Sequence, residues 1–290
     1  MRFAISIPQY VRDGFDADGF RAHLARAEEL GFESAWTQEQ VLGLAGALSP
    51  LESMTYAAAC TDQLRLGCAV FVSPLHSPIH LAKAIASLDC LSHGRVEVGL
   101  GTGGRGRPFA AFGIDPDGLV ARFNEGVALM KACWTESRIS FDGRFSQLDG
   151  VAMEPKPVQK PHPPIWIGGN HPAALKRAVR IGDGFFGAGS QSTAQFAEQG
   201  RDPGNFQIAK RVYIHVDDDP ARARKQIEDA LAHHYGRSVP GVAISGLPSE
   251  CIAGLRAVAD AGAELILLNT LVDDTAQIER LAAEVVPALA

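Results

Sequence analysis

Apolar residues recur with two different periods along this chain, and the two periods alternate. Continuous apolar runs, typical of buried parallel strands, are followed by stretches in which apolar residues return every three or four positions, as on one face of a helix. A run that ends at Val72, for example, precedes Leu81, Ile85 and Leu88 at helical spacing, with Gly94 just beyond. We predict strands at residues 3–7, 34–37, 64–72, 96–100, 164–167, 184–186, 206–216 and 265–269.

This alternation predicts the fold class. Eight strands that alternate with helices are the pattern of an α/β protein of the (β/α)8 TIM barrel type, whose site lies at the carboxyl ends of the strands. The length of 290 residues and the hydrophobic content of 46% suit one core of this kind, and no low-complexity linker divides the chain. We therefore predict a single barrel domain over residues 1–290.

Two segments depart from the barrel pattern and are predicted to be insertions, at approximately residues 137–163 and 234–248. The first alternates apolar and polar residues around two Asp-Gly turns before a proline-rich return, which predicts a hairpin. Its apolar residues Phe141, Phe145, Leu148 and Val151 either form a subunit interface, giving a homodimer, or pack on the barrel. The second is punctuated by glycine and proline and precedes a short predicted helix near Ser249.

Composition narrows the classes of function. The formal net charge of -6 disfavours a nucleic-acid partner, and no apolar run is long enough to span a membrane. The chain opens directly on a strand pattern, so we expect a cytoplasmic protein with no membrane partner. The five cysteines lack CxxC spacing, which indicates reduced thiols. His76 and His80 are four residues apart, but Pro78 lies between them, and we expect no metal site.

A glycine run ends the fourth predicted strand. Gly99, Gly101 and Gly104 match the GxGxxG pattern of dinucleotide-binding proteins. The context does not fit that pattern, because Arg105 and Arg107 follow where a helix should begin, and three strand–helix units precede the run. A loop that admits a flat ring or its tail fits better, and the two arginines either attract anionic groups or are simply solvated.

Residues 168–172, after the next predicted strand, have the features of an anion site. Gly168 and Gly169 allow backbone amides to face outward. Asn170 or His171 suits the N-cap of the following helix, and Pro172 suits its first position. The positive end of the helix dipole would then face a phosphate. The alternative is an ordinary strand-to-helix turn.

Several motifs follow one another in a characteristic order. They are Ile7-Pro8-Gln9, Leu88-Asp89, Leu91-Ser-His-Gly-Arg95, Gly99-Leu-Gly101-Thr-Gly103, Glu154-Pro-Lys-Pro-Val-Gln159 and Pro163-Pro-Ile-Trp-Ile-Gly-Gly169. Together they resemble the bacterial luciferase-like superfamily of barrel flavoenzymes, in particular its branch of oxidoreductases that depend on the deazaflavin coenzyme F420.

The resemblance implies a cofactor across the carboxyl face of the barrel and a non-proline cis peptide near Ala69 and Val70. The implied ring contacts are Glu39, Ala69, Val70 and Val72, the tail contacts are Thr102, Gly103 and Arg107, and the phosphate contacts are Gly168, Gly169, Asn170 and His171. The candidate catalytic residues are Glu39, Gln40 and His76.

Two positions depart from the pattern of the family's F420-dependent sugar-phosphate dehydrogenases. Those enzymes carry a catalytic histidine where this chain has Gln40, and a glutamate where it has Gly104. We therefore expect a reductase that transfers hydride to an activated C=C, C=N or carbonyl group of a small molecule. The alternatives are an FMN-dependent monooxygenase, served by a flavin or F420 reductase partner, and a cofactor-free barrel that binds a small molecule.

Overall fold

All strands of the computed structural model, which describes residues 1–11, 14–43, 46–104, 109–198 and 206–289, are parallel except for one hairpin. The strands are β1 (Arg2–Ser6), β2 (Ser34–Thr37), β3 (Arg65–Val72), β4 (Val96–Gly101), β5 (Ile139–Asp142), β6 (Gln147–Val151), β7 (Ile165–Gly169), β8 (Gly184–Gly187), β9 (Gln207–Val216), β10 (Ala243–Gly246) and β11 (Leu265–Asn269). Eight of them close in the order β1-β2-β3-β4-β7-β8-β9-β11, with β11 paired to β1. The predicted (β/α)8 TIM barrel is confirmed.

Helices connect consecutive strands and surround the barrel. They are α1 (Ala17–Glu29), α2 (Pro50–Cys60), α3 (Pro78–Leu91), α4 (Leu119–Thr135), α5 (Pro172–Ile181), α6 (Thr193–Ala197), α7 (Pro220–Tyr235), α8 (Pro248–Asp260) and α9 (Asp274–Arg280). Several begin with proline, which suits the first helical position, behind a capping side chain such as Ser77 or Asp219. Gly236, with φ 65°, ends α7 in the left-handed region that favours glycine. In the described ranges, no helix is both long and apolar enough to cross a membrane.

Side chains from the strands fill the barrel interior. Trp36, Trp166 and Phe186 lie at its centre, and the ring centroids of Trp36 and Phe186 are 4.8 Å apart. A larger apolar layer separates the strands from the helices. The interior is therefore a packed core, and a ligand site has to lie at one end of the barrel.

The two insertions have different structures. The first forms the predicted hairpin, β5 and β6, and Phe141 and Leu148 pack against the main core, whereas Val151 is exposed. Glu125 on α4 holds the turn, because its carboxylate accepts hydrogen bonds from the N–H groups of Arg144 and Phe145, both at 2.8 Å. The second insertion contains a strand that we did not predict, β10, which pairs with β9. The helix after it, α8, has 13 residues, so the prediction of a short helix was wrong.

The amino-terminal end of the barrel is closed by an ion pair. The Glu97 carboxylate pairs with Arg65 and accepts a hydrogen bond from the Trp166 indole N–H at 2.6 Å. Burial raises the pKa of Glu97, while Arg65 opposes that rise. A second guanidinium nitrogen of Arg65 donates to the Gln159 side chain at 2.9 Å. The buried Glu97 carboxylate and the half-buried Arg65 guanidinium therefore compensate each other.

Further motif residues stabilise the same end. Arg95, just before β4, donates to the carbonyl oxygens of Ala58 at 3.0 Å and Thr61 at 2.8 Å. The buried Asp89 carboxylate accepts hydrogen bonds from the backbone N–H of Gln159 at 3.0 Å and from its side chain at 2.7 Å. These motifs therefore hold helices and loops beneath the barrel, far from the carboxyl ends of its strands.

Candidate functional site

A cavity of about 1130 Å³ opens at the carboxyl ends of the barrel strands. Its walls come from β2, β3, β4, β7, β8 and β9 or the residues that follow them, and from helices α5 and α7. Ligand pockets for drug-sized molecules are typically about 300–1000 Å³. This cavity therefore has space for a cofactor and a substrate together, on the face where barrel enzymes carry their sites.

Most of the predicted site residues meet in this cavity. Its lining includes Glu39, Gln40, Ala69, Val70, Thr102, Gly103, Gly168, Gly169, Asn170 and His171. The structure does not bring Val72 or His76 to the cavity wall. Arg107, like Arg105, lies outside the described residues.

The buried Glu39 carboxylate joins the ends of two strands. One oxygen accepts a hydrogen bond from the Val72 N–H at 2.6 Å, and the other lies 2.6 Å from Nε2 of His76. The side chain of Val72 turns away and packs with Phe109 and Leu119. Glu39 is therefore held by two partners, and His76 acts on the cavity through Glu39 rather than by facing it.

Gln9 positions the loop that carries Glu39 and Gln40. Its side chain is buried, donates to the carbonyl oxygens of Gln38 at 2.8 Å and Leu48 at 3.2 Å, and accepts from the Gln38 N–H at 2.5 Å. This motif residue therefore shapes the site through the main chain and does not line the cavity.

The peptide bond between Ala69 and Val70 is cis, as the resemblance implied. The Val70 side chain lies among glycines, because a Cβ on Gly101 would be 2.6 Å from it and a Cβ on Gly168 would be 2.5 Å from it. A larger residue at either glycine would push Val70 out of the cavity wall. These glycines make room for a side chain, a role that differs from the backbone–ligand contact suggested by the sequence pattern.

Two other glycines of the wall have opposite surroundings. A Cβ on Gly104 would meet no atom of the described residues within 4 Å, so this position borders open space as far as those residues are concerned. A Cβ on Gly169 would lie 2.5 Å from the Cβ of Ala174, so glycine is required there for β7 to pack against α5. Bulk added at Gly104 therefore changes the cavity, whereas bulk added at Gly169 also disturbs the fold.

The cavity has a cationic end at the start of α5. His171 caps this helix, since its Nδ1 accepts from the N–H of Ala173 at 3.1 Å and its carbonyl accepts from the N–H of Ala174 at 2.8 Å. The neutral ring then carries its proton on Nε2 and can donate it to a ligand. Arg177 also lines this end, with its guanidinium 5.5 Å from the centre of the Phe123 ring. Two first-turn amides are already used, and the side-chain donors that line this end are Asn170, His171 and Arg177.

Sequence reasoning missed a second cation, Arg211 on β9. In the barrel order β9 stands opposite β3, and the Arg211 Nη1 donates to the carbonyl oxygen of Ala69 on β3 at 3.2 Å. The side chain therefore crosses the barrel mouth beneath the cavity that it lines. Strand alternation places Ala209, Arg211 and Tyr213 on the inner face, so an arginine inside an apolar strand was the available signal.

An aromatic cluster, formed by Tyr10, Tyr213, His234 and Tyr235, stands beside Arg211. Ring centroids of successive members are 4.9 to 6.2 Å apart, and the hydroxyls of Tyr213 and Tyr235 are 2.8 Å apart. Burial raises the pKa of Tyr10 to about 12. Burial, with the Arg211 charge, lowers the pKa of His234 to about 4. The phenol of Tyr10 and the imidazole of His234 are therefore neutral around pH 7.

A smaller cavity of about 470 Å³ lies beside Tyr10 and is lined by His23, Asp273 and Asp274, among others. None of the predicted site residues lines it.

Across the described ranges, no group of three or more His, Cys, Asp or Glu side chains is placed to hold a metal ion. All five cysteines are free, and Cys68, beneath the site, is buried with a pKa well above its ordinary value.

A comparison with known protein families identifies the family of this barrel. The model of the luciferase-like monooxygenase family matches residues 1–244. The chain belongs to the luciferase-like family. The resemblance drawn from the motifs is thereby confirmed, although three of the six motifs, at residues 88–89, 91–95 and 154–159, lie at the opposite end of the barrel from the cavity.

Luciferase-like relatives use two different cofactors. The chain is 33% identical over 184 residues to the FMNH2-dependent dimethylsulfone monooxygenase of Pseudomonas putida, which covers 62% of this chain and 51% of the relative. It is 29% identical over 160 residues to the F420-dependent glucose-6-phosphate dehydrogenase of Kineococcus radiotolerans, covering 50% of this chain and 47% of the relative. The match thus spans about half the length of each relative.

A solved structure matches over the full length. The monooxygenase RslO1 from Streptomyces bottropensis is 25% identical to this chain, with a TM-score of 0.86, and all of both chains is covered. The luciferase-like family to which the chain belongs therefore includes both oxidoreductases and monooxygenases, with F420-dependent and FMN-dependent relatives.

Proposed function

We propose that this luciferase-like chain is a reductase that binds coenzyme F420 and uses its reduced form to transfer hydride to a small organic substrate. The observation that carries the proposal is one continuous cavity, which joins the α5 end, the wall of Ala69 and Val70, and the Arg211 end. A cofactor with a flat ring and an anionic tail fits the first two parts. The third part is left for a substrate.

Helix α5 favours a strongly anionic tail. Besides Arg177, which lines the cavity, it carries Lys176 and Arg180, which are exposed, and it carries no acidic residue. Burial, with the Arg180 charge, lowers the pKa of Arg177, as expected where cations crowd together. FMN has one phosphate, whereas coenzyme F420 has a phosphate followed by a tail that ends in carboxylates. Three cations on one short helix suit the second ligand better.

The lining residues also favour reduction over the oxidation of an alcohol. A bound deazaflavin or flavin supplies the hydride chemistry, and the protein supplies position and electrostatics. Among the described lining residues the one carboxylate is Glu39, and both of its oxygens are engaged by Val72 and His76. The side chain of Gln40 is a neutral amide and cannot act as a base near pH 7. An alcohol substrate would therefore lack a carboxylate base, whereas an activated double bond does not need one.

A second candidate function is that of an FMN-dependent monooxygenase. It is favoured by the 33% identity with the dimethylsulfone monooxygenase and by the full-length likeness to RslO1. In that case the reduced flavin would have to come from a separate reductase partner.

Separate equilibrium titrations of the purified protein with coenzyme F420 and FMN, followed by fluorescence, test the proposal. We expect F420 to bind with a dissociation constant of about 1 μM or below, and FMN to bind at least about tenfold more weakly. Arg177→Met should weaken both ligands by about tenfold, because it removes a charged hydrogen-bond donor from the α5 end. Arg224→Met, on the exposed surface of α7, is the matched control and should bind both as the wild type does.

The double variant Lys176→Glu/Arg180→Glu separates the two cofactors. It should weaken F420 by about tenfold and FMN by much less, because only F420 has tail carboxylates to be repelled. If the double variant lost affinity for F420 and FMN equally, or if the wild type bound FMN more tightly than F420, the monooxygenase function would be favoured. Binding of neither ligand would contradict both functions. Oxidation of reduced F420 in the presence of enones, imines or nitro compounds then identifies the acceptor class.

A further inference from the structure

At the end of the cavity away from α5, Arg211 is a buried charge that has no counter-ion among the described residues. Arg211 is 9% exposed, and its Nη1 makes one hydrogen bond, to the Ala69 carbonyl oxygen at 3.2 Å. Its Nε is buried and has no hydrogen-bond partner in the part of the chain that the structure describes. Within the described residues, no aspartate or glutamate forms an ion pair with it, in contrast to Arg65 at the other end of the barrel.

The surroundings of Arg211 do not supply the missing charge. The side chains that stand beside it are aromatic, and the Tyr213 ring centre is 5.6 Å from the guanidinium carbon. The pKa of Tyr10 is raised to about 12 and that of His234 is lowered to about 4, so neither carries a charge near pH 7. An unpaired buried charge costs several kcal/mol unless something compensates it. Among the described residues that line the cavity the one carboxylate, Glu39, is held by Val72 and His76, so an anionic ligand is the source of counter-charge that remains for Arg211.

The position of Arg211 separates it from the α5 cations. Arg177 belongs to the wall that follows β7, whereas Arg211 extends from β9 towards β3 across the barrel mouth. The cavity mouth next to Arg211 is bordered by the rings of Tyr10, His234 and Tyr235. Such rings offer faces and edges to a flat apolar body, and the guanidinium offers a fork of N–H donors to a planar oxyanion.

We infer that the substrate of this cavity is an unsaturated or aromatic carboxylic acid, whose carboxylate binds Arg211 and whose flat body lies against the rings of Tyr10, His234 and Tyr235. This inference rests on the proposed function in that it assigns the substrate of the same cavity. It does not depend on which ring cofactor occupies the wall of Ala69 and Val70.

Benzoate and benzamide are the probes, because they have the same shape and differ in charge. Calorimetric titrations use the protein without added coenzyme and the protein saturated with the coenzyme that binds. Benzoate should bind the wild type at least about tenfold more tightly than benzamide, the value of one charged hydrogen-bonded contact. Arg211→Met should remove this preference, and Arg211→Lys, which keeps a point charge, should retain part of it.

Arg177→Met is the matched control, since it removes the other cation of the cavity. It should keep the benzoate preference while losing affinity for the coenzyme. The wild-type comparison decides without any variant: equal binding of benzoate and benzamide would overturn the inference even if F420 binds tightly. A preference for benzoate in a protein that binds neither coenzyme would support the inference and contradict the proposed function. If Arg211→Met instead abolished coenzyme binding and kept the benzoate preference, Arg211 would belong to the coenzyme site and the inference would be wrong.

Discussion

Two arginines of the barrel interior, Arg65 and Arg211, show how differently its two ends are built. At the amino-terminal end, Arg65 is paired with Glu97, which also accepts the Trp166 N–H. At the carboxyl end, Arg211 has one carbonyl partner and no ion pair among the described residues. Natural proteins satisfy buried polar groups nearly everywhere and leave them unsatisfied chiefly at functional sites. The contrast therefore supports the proposal that a ligand binds at the carboxyl end.

The contrast also shows which part of the cavity the family motifs do not reach. Arg95, Asp89 and Gln159 belong to motifs that resemble the family, and all three form hydrogen bonds at the amino-terminal end. Other motif residues, such as Gly103 and Gly168, line the cavity. The aromatic cluster and Arg211 belong to no such motif, so the surroundings of Arg211 have to be derived from the structure.

The largest expected effect comes from breaking the paired end. Arg65→Met should lower the free energy of unfolding at pH 8 by about 3 kcal/mol, because it leaves the buried Glu97 carboxylate without its counter-charge. The pKa of Glu97, already raised by burial, should rise further. A folded-state pKa above the unfolded value means that the folded state takes up a proton as the pH falls. The deficit measured by urea unfolding should thus be smaller at pH 5 than at pH 8.

A double variant provides the control for this pair. Arg65→Met/Glu97→Gln removes both charges and keeps an acceptor for the Trp166 indole, so it should recover most of the loss. A single variant as stable as the wild type would show that the pair at this end is not needed, and the contrast with Arg211 would then lose its basis.

At the carboxyl end of the barrel, removing the arginine is expected to change the free energy of unfolding in the opposite direction. Arg211→Met should raise the free energy of unfolding by about 1–2 kcal/mol in the absence of ligand, since it replaces an uncompensated buried charge with an apolar side chain. Urea unfolding of the unliganded protein measures this change. Loss of stability would mean that the hydrogen bond to Ala69, or a group outside the described residues, compensates the charge.

Sequence periodicity was sufficient for the barrel and insufficient for its additions. The barrel strands are buried on both faces, so they appear as continuous apolar runs with recognisable ends. β10 has four residues, three of them only partly buried, inside a segment rich in glycine and proline, and neither period detects such a strand. Its pairing with β9 depends on tertiary structure that no local pattern contains.

The residues of the candidate site also fall into those that local sequence patterns predict and those that only tertiary contacts reveal. Residues such as Val70, Gly103 and Gly168 lie at the ends of predicted strands, and they line one cavity. Arg211 meets Ala69 across 142 residues of sequence and from the opposite side of the barrel. His234 reaches the cavity from the last turn of α7, at the position where we predicted an insertion to begin. Contacts of this kind become visible only when the barrel is closed.

A third buried cation, Lys210, sharpens the comparison because it cannot meet a ligand in the cavity. It is fully buried, donates to the carbonyl oxygens of Ala188 at 2.5 Å and Arg211 at 2.7 Å, and does not line the cavity. Burial, reinforced by the Arg211 charge, lowers its pKa to about 7 from 10.5. Between those values the unfolded chain binds a proton that the folded chain does not. The free energy of unfolding therefore increases as the pH rises, because the cost of burying Lys210 falls.

Lys210→Met should therefore be more stable than the wild type by about 1 kcal/mol at pH 6.5, and the difference should shrink towards pH 10. Thermal unfolding at several pH values measures it. A variant that is less stable at every pH would show that the two carbonyl contacts outweigh the cost of the buried charge. Benzoate and coenzyme binding should not change, which distinguishes Lys210 from its neighbour Arg211.

The smallest expected effect concerns His234, because the positive charge of Arg211 disfavours protonation of its ring. Its pKa is lowered from 6.5 to about 4, so the unfolded chain binds more protons in that window and the fold loses stability as the pH falls through it. His234→Gln should remove about 1 kcal/mol of this loss between pH 7 and pH 4.5, less than the full shift because the ring is only half-buried.

The neighbouring His233→Gln is the matched control for His234, since His233 is exposed and does not line the cavity. It should leave most of the decline with pH in place, because the charge of His233 is the smallest of the three causes that lower the pKa of His234. In an Arg211→Met background the decline due to His234 should itself become smaller, because the positive charge that helps to keep the imidazole neutral is gone. An unchanged decline in that background would show that burial alone keeps His234 neutral. The uncompensated charge of Arg211 would then not reach the ring that is proposed to contact the substrate.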